Sequence, residues 1–371
     1  MRVALVMLHT PAMTAAALAL VTAPSPQAFR GRSLLECKRP SRSPRVICSS
    51  AKPFDEPGNY VSAYSSALGV SVAAVLCGEL IRVPSTADAL VPVVGRLAAA
   101  SSLPLITSSL VCLRAAAVAG PTLLRQPSYM LLNLGVALAS IAACTITPRP
   151  VLSVMVARGG TALLCLEIWS QATSAAKAGD PFRELSAAIR GTIGAVRRAI
   201  DLLCKGLMRA SNGEVVDSIP PIIPACYAAL ALTHIGTALV ATVAPSATAA
   251  ALWPLASPGE GAMRIACSSS ILTAVCATVL ADVLARWPSS PGSADELRPF
   301  RSLNRGMMLS SFAHLALQMA AGCQLMRSSG ALLQLGALGT TPFIAMGLAQ
   351  LVHLATAVFC HAQDSLYTSY D

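Results

Sequence analysis

Histidine is scarce in this chain, and four of its five copies, His234, His314, His353 and His361, lie in or at the ends of long apolar runs. Met307, Met308, Met319, Met326, Cys323 and Cys360 share the last two of those runs. Imidazole, thiolate and thioether donors together suit a soft or borderline metal. On a helix His353 and His361 fall on nearly the same face. Asp282 adds a carboxylate, so His234, Asp282, His314 and His353 are candidates for a transport path or a metal site. No HExxH, tight His/Cys pair or carboxylate triad accompanies them, and helix–helix hydrogen bonding with packing is the competing role. Asp282 also lies one turn from Arg286, which makes a pair at a helix boundary the alternative to a proton or cation site.

Three further ionisable residues, Arg114, Arg158 and Glu167, occupy apolar surroundings. Charge is costly there, and such groups turn toward one another or toward a protein interior. Arg158 and Glu167 are too far apart on one helix to pair directly, at about 13.5 Å of rise. Each is therefore expected to take part in interhelical charge interactions. The twelve cysteines form no C-x-x-C and sit mostly inside apolar runs, as small packing residues do. No P-loop, G-x-S-x-G or dinucleotide fingerprint occurs, so neither an enzyme nor a cofactor is expected.

The elements that must position these residues follow from composition. Of 371 residues 54% are apolar and only 12% charged, where a soluble domain carries about 25% charge. Apolar runs near bilayer length recur at about 61–81, 97–118, 129–147, 151–173, 219–243, 262–284, 306–326 and 335–360. The expectation is an all-α, polytopic transmembrane helix bundle of about eight spans. It divides into a first membrane half at 53–180, a connecting segment at 181–212 and a second half at 213–371. Basic residues concentrate in 174–218 and 285–305, whereas 244–261 has none. That asymmetry puts the basic connections and both mature ends on one side, read as stroma. Trp169 and Trp287 mark the basic-side ends of their spans, as interfacial anchors do.

Within 181–209, Phe182, Leu185, Ile189, Ile193, Val196, Ile200, Leu203 and Leu207 advance in helical steps. Arg183, Arg190 and Arg197 repeat every seven residues, with Arg198 and Lys205 one place on. The spacing predicts a basic amphipathic helix that starts at Pro181 and ends near Asn212-Gly213. Anionic lipids or a membrane-complex partner would suit it, and packing on the protein's own loops is the alternative.

Residues 1–28 read as a signal peptide and 29–52 as an acid-poor, Ser/Arg-rich transit peptide. Residues 1–52 hold eight Lys/Arg and one acid, so most of the formal charge of +10 belongs to this leader. Nucleic acid is accordingly not an expected partner. The junction Pro26-Gln27-Ala28-Phe29 resembles the bipartite presequence of complex red-lineage plastids, where it reads A-x-A-F; here Pro replaces the first Ala. That resemblance implies a plastid membrane, inner envelope or thylakoid.

Leu303-Asn304-Arg305-Gly306-Met307-Met308 and Gln350-Leu351-Val352-His353-Leu354 lie in the last two of four C-terminal runs. This layout resembles the permease-in-chloroplasts family, a four-span inner-envelope group implicated in iron uptake or protein import. The resemblance covers less than half the chain and carries over no binding residue. Pro181-Phe182-Arg183-Glu184-Leu185 also echoes Pro299-Phe300-Arg301-Ser302-Leu303, which points to duplication or to chance in a low-diversity chain. The functional expectation is a multi-pass plastid membrane protein, permease-like, moving a small solute or metal ion. The alternative is a structural or assembly subunit that docks through 181–209.

Overall fold

The computed structural model describes residues 57–75, 90–120, 122–146, 152–174, 222–244, 260–286, 297–327 and 341–364, with single positions at 194–209 and at 247. Over these residues the chain is all-helical. Its α-helices are α1 (Pro57–Val75), α2 (Leu90–Ala119), α3 (Pro127–Ile146), α4 (Leu152–Ser174), α5 (Ile222–Val243), α6 (Glu260–Arg286), α7 (Phe300–Arg327) and α8 (Thr341–Gln363). Each apolar run picked out in the sequence coincides with one of them. The leader, Arg183, Arg190 and the Pro181 end of the echo lie outside the described residues.

Local sequence sets the helix ends. Pro127, whose missing N–H costs nothing in a first turn, opens α3 after an extended Gln126 with ψ of 142°. Gly120 follows α2 at φ 146° and donates back to the Ala116 carbonyl at 3.0 Å, a closure that needs a residue without Cβ. Inside α2, Pro104 removes one helix donor. The Thr107 hydroxyl donates there to the Leu103 and Pro104 carbonyls at 2.8 and 3.1 Å.

The packing has a repeating plan. In the first half α1 lies against α2 and α4, and α3 against α4 and α2; in the second, α5 lies against α6 and α8, and α7 against α8 and α6. The main packing between the halves is α2 with α7, α3 with α6, and α2 with α6. Exchanging the halves maps this set onto itself, as a twofold relation requires.

Individual residues follow the same relation. Tyr64 of α1 donates to Asn133 of α3 at 2.7 Å, and Tyr227 of α5 donates to Asn304 of α7 at 2.6 Å; all four are buried. α3 reads Tyr129-x-x-Leu132-Asn133-x-Gly135-x-x-Leu138-x-Ser140, and α7 reads Phe300-x-x-Leu303-Asn304-x-Gly306-x-x-Leu309-x-Ser311. A Cβ at Gly135 would strike Val275 of α6, and one at Gly306 would strike Ser108 of α2. The next residues, Ser109 and Cys276, touch each other at 3.6 Å where α2 meets α6.

Polar groups share the interior with an apolar core, and further large apolar groups face outward. Ser71, Ser108, Ser109, Asn133, Arg158, Thr161, His234 and Asn304 are buried. Ile344, Leu348, Leu351 and Val358 on α8, and Leu239, Val240 and Val243 on α5, are each more than half exposed. Water disfavours a contiguous apolar surface of this kind. Among the described residues Ser102–Ala119 and Ile223–Val243 are long and apolar enough to cross a membrane, and Pro127–Ala142 and Ser269–Ala285 are shorter apolar helices.

Candidate functional site

Three helices each deliver a histidine to one place. His353 of α8 is central: its ring stacks on that of His314 of α7 at 4.4 Å and 18°, and meets His234 of α5 at 5.8 Å and 54°. From α6, the Ser269 hydroxyl lies 3.3 Å from His314 Nε2. His234 is buried, and His314 and His353 are half-buried. Two ring nitrogens, His234 Nε2 and His353 Nδ1, are buried without a hydrogen-bond partner. An imidazole ordinarily satisfies both nitrogens when withdrawn from water, so these two mark an unfinished polar site.

A second network, two to three turns away, holds these helices in register. Asn304 accepts from Tyr227 and donates through Nδ2 to the Cys360 carbonyl at 2.7 Å, which ties α7 to both α5 and α8. Phe359 closes edge-on against Tyr227 at 4.9 Å. His234 lies two turns beyond Tyr227, and His353 two turns before Cys360. One end of the half is therefore fixed by a satisfied amide, while the other presents the imidazoles.

The stacked rings have a chemical consequence. Ring lone pairs lie in the ring plane, so two nearly parallel rings aim them past one another. Among the described residues no group of three or more His, Cys, Asp or Glu has metal-holding geometry. A neutral imidazole nevertheless keeps one acceptor nitrogen, which suits proton capture or a hydrogen bond to a passing solute.

The other sequence candidates separate from this cluster. Asp282 is more than three turns along α6 from Ser269, about 20 Å of helix. It accepts from Ser128 at 3.2 Å and faces Arg198 at 3.7 Å. Arg114 donates to Ser65 at 2.8 Å and Arg158 to Ser102 at 3.0 Å, so both cross between helices to hydroxyls. Glu167 corrects the expectation of an interhelical charge: it is exposed and accepts from Gln171 of its own helix at 2.7 Å. Residue type grouped these side chains, whereas their height along the helices divides them. Arg197, Arg198 and Lys205 are helical and exposed, whereas Arg183 and Arg190 lie outside the described residues.

Sequence reasoning missed Ser269, Tyr227 and Asn304 as parts of the site. Their signal was the recurrence around Leu-Asn-x-Gly, which marks matching positions in the two halves. Two turns beyond the paired tyrosines stand Ser71 and His234; two turns before the touching Ser109 and Cys276 stand Ser102 and Ser269. In the first half Ser71 bonds Thr161 of α4 at 3.1 Å and Ser102 receives Arg158. The histidine cluster thus occupies the place that serine, threonine and a buried arginine fill in the other half. The chain matches no family model, no curated protein and no solved structure.

Proposed function

We propose that this chain is a multi-pass membrane protein of a plastid, permease-like, moving a small solute or metal ion past His234, His314 and His353. The observation that carries the reading is a half-buried polar cluster, with two unpartnered ring nitrogens, set between four helices of the second half. Exposed apolar ridges on α5 and α8 support lipid as the surrounding solvent. On this reading all eight helices cross the bilayer. Four crossings separate matching helices of the two halves, which makes the repeat a parallel one with its axis along the membrane normal. The two-part leader supports the plastid address.

The test uses the full chain in liposomes that enclose a metal-sensitive dye, challenged with Fe2+, Mn2+ or Zn2+. At least one ion is expected to enter faster than into protein-free liposomes, and His353→Gln is expected to abolish the difference. Equal entry with and without protein, together with unchanged plastid metal content in cells carrying His353→Gln, would sink the reading.

A second reading, a structural or assembly subunit, is favoured by one observation. Arg197, Arg198, Lys205 and Arg209 are helical and exposed, on a segment whose basic face suits anionic lipid or a partner complex. Native membranes solubilised gently would show the chain migrating with a larger complex; migration alone would dispose of this reading.

A further inference from the structure

The two halves put different chemistry at matching places, and the difference is one of charge. In the first half the matching place holds a permanent cation: Arg158 is 4% exposed and donates to Ser102, beside the Ser71–Thr161 hydroxyl pair. In the second half the matching serine, Ser269, meets His314, and the Ser71 position is His234. A guanidinium carries its charge at every relevant pH, whereas an imidazole gains and loses it.

We propose that the histidine cluster is a binding site for one proton, shared through His353. As the coupling element of a permease it rests on the reading above. As a proton site it rests on the geometry alone. The step is a protonation: a proton from the aqueous phase adds to the lone pair of a ring nitrogen, and the same N–H bond breaks on release. No other bond changes.

The geometry limits the occupancy to one. His353 touches both other rings, at 4.4 and 5.8 Å, so a charge on any ring is felt by its neighbour. Like charges this close in a low-dielectric surrounding repel strongly. Neutralising a second charge would need a carboxylate. Among residues of α5, α6, α7 and α8 whose side chains are described, the titratable groups that face the cluster are the three histidines themselves. Asp282 lies more than three turns away along α6, facing Arg198. Cys360 lies two turns along α8 beside Asn304, and Cys226 two turns before His234 on α5. Asp364 is engaged by Arg301 and Arg305 beyond the end of α8. The stacked rings do not converge on a common point, which suits a proton, needing one nitrogen, better than an ion needing three.

The experiment follows the imidazole nitrogens of the full chain in detergent micelles by histidine-selective 15N NMR as pH is lowered. The expected result is that His234, His314 and His353 change together, with a summed uptake of one proton. In His353→Gln, which removes the central ring, His234 and His314 are expected to titrate independently. The pair His234→Ser with His353→Thr, which replaces two of the rings by small hydroxyl side chains, provides a second variant and should lose the shared transition. The proposal is overturned if none of these three rings titrates in the folded protein, if two or more of the three are charged together, or if coupling survives His353→Gln. It is also overturned if stoichiometric Zn2+ or Mn2+ engages all three rings at once. Liposome flux separates the readings. A one-proton transition without flux retires the permease and keeps the proton site, and flux without any transition does the reverse.

Discussion

Tyr129 of α3 stacks on Phe300 of α7, with 5.0 Å between ring centroids and 26° between planes, and the two residues hold the same place in their halves. Matching residues meet in this way where a twofold axis passes. Ser109 and Cys276 do the same on α2 and α6. The axis is therefore filled by packed side chains, and the histidine cluster lies off it, inside the second half. A binding site at the interface of repeats is the usual transporter arrangement; the histidine cluster is instead internal to one four-helix unit.

The repeated Tyr–Asn bonds give a matched pair of stability tests. Tyr64→Phe and Tyr227→Phe each remove one buried hydroxyl donor and are expected to cost about 1 kcal/mol, near the range measured between membrane helices. The two sites share no partner, so the double variant should cost the sum. Asn304→Ala should cost more than Asn133→Ala. Asn304 also reaches the Cys360 carbonyl of α8 at 2.7 Å, while Asn133 spends its amide on Tyr129 of its own helix at 3.2 Å. Denaturant unfolding in micelles reads all five variants.

The glycines at the half-to-half contact are expected to tolerate no side chain. Gly135→Ala presses on the Val275 side chain, including its Cβ at 3.0 Å, which no χ1 rotation moves, and should cost about 1–2 kcal/mol. Gly306→Ala meets both the Ser108 side chain and the Pro104 carbonyl at 2.9 Å. Because that carbonyl is backbone, Gly306→Ala should cost about 2–3 kcal/mol and Ser108→Gly should rescue it only in part. Gly236→Ala, with open space around it, is the control and should be neutral or mildly stabilising. Thermal unfolding in one detergent ranks the three. Equal loss at Gly306 and Gly236 would contradict the close approach of α2 and α7.

Much of this fold was legible because apolar runs of bilayer length leave a chain little choice but helix. Among the described residues a helix overlaps every run from 61–81 to 335–360. The site was half legible. His234, His314 and His353 stood out because ionisable groups are rare in such surroundings, but their meeting depends on helix register, which no spacing within a single run reveals. Asp282 was grouped with them by type and lies at another height. Glu167 was counted as interhelical because its run was apolar, yet its face of α4 is exposed and Gln171 is its neighbour one turn on. The string Pro-Phe-Arg pairs 181–185 with 299–303 in the sequence. In the structure Phe300 corresponds instead to Tyr129, because what recurs is a set of buried contact positions spaced along a helix.

At the foot of α7 and α8 a carboxylate clamp makes stability depend on pH. Asp364 accepts from Arg305 at 3.0 and 3.1 Å and from Arg301 at 3.3 and 3.2 Å. Partial burial alone would push its carboxyl up; the hydrogen bonds and charges of Arg305 and Arg301 more than reverse this and hold it below the usual range. A carboxyl depressed in the folded state stabilises the fold above its unfolded value of about 3.9, and that contribution is lost as pH falls through the lower folded value. Wild type should therefore lose stability in acid below about pH 4 more steeply than Asp364→Asn. At neutral pH the variant should be weaker by about 1 kcal/mol, a figure kept small by the solvent exposure of the arginines. Parallel acid-unfolding curves of the two proteins show it.

Asp282 provides the contrast that separates the cluster from its surroundings. Its contact with Arg198 is long, at 3.7 Å, and Arg198 is 66% exposed, so the pair contributes little on its own. Asp282→Asn keeps the shape and an oxygen to accept from Ser128, and it should cost no more than about 1 kcal/mol. It lies more than three turns of α6 from Ser269, so ion entry into liposomes should match wild type where His353→Gln abolishes it. Its effect should appear instead at Arg198, whose release makes the chain there easier to cleave with trypsin. Loss of entry in Asp282→Asn with unchanged cleavage would place the path along α6 toward Ser128 rather than at the histidines.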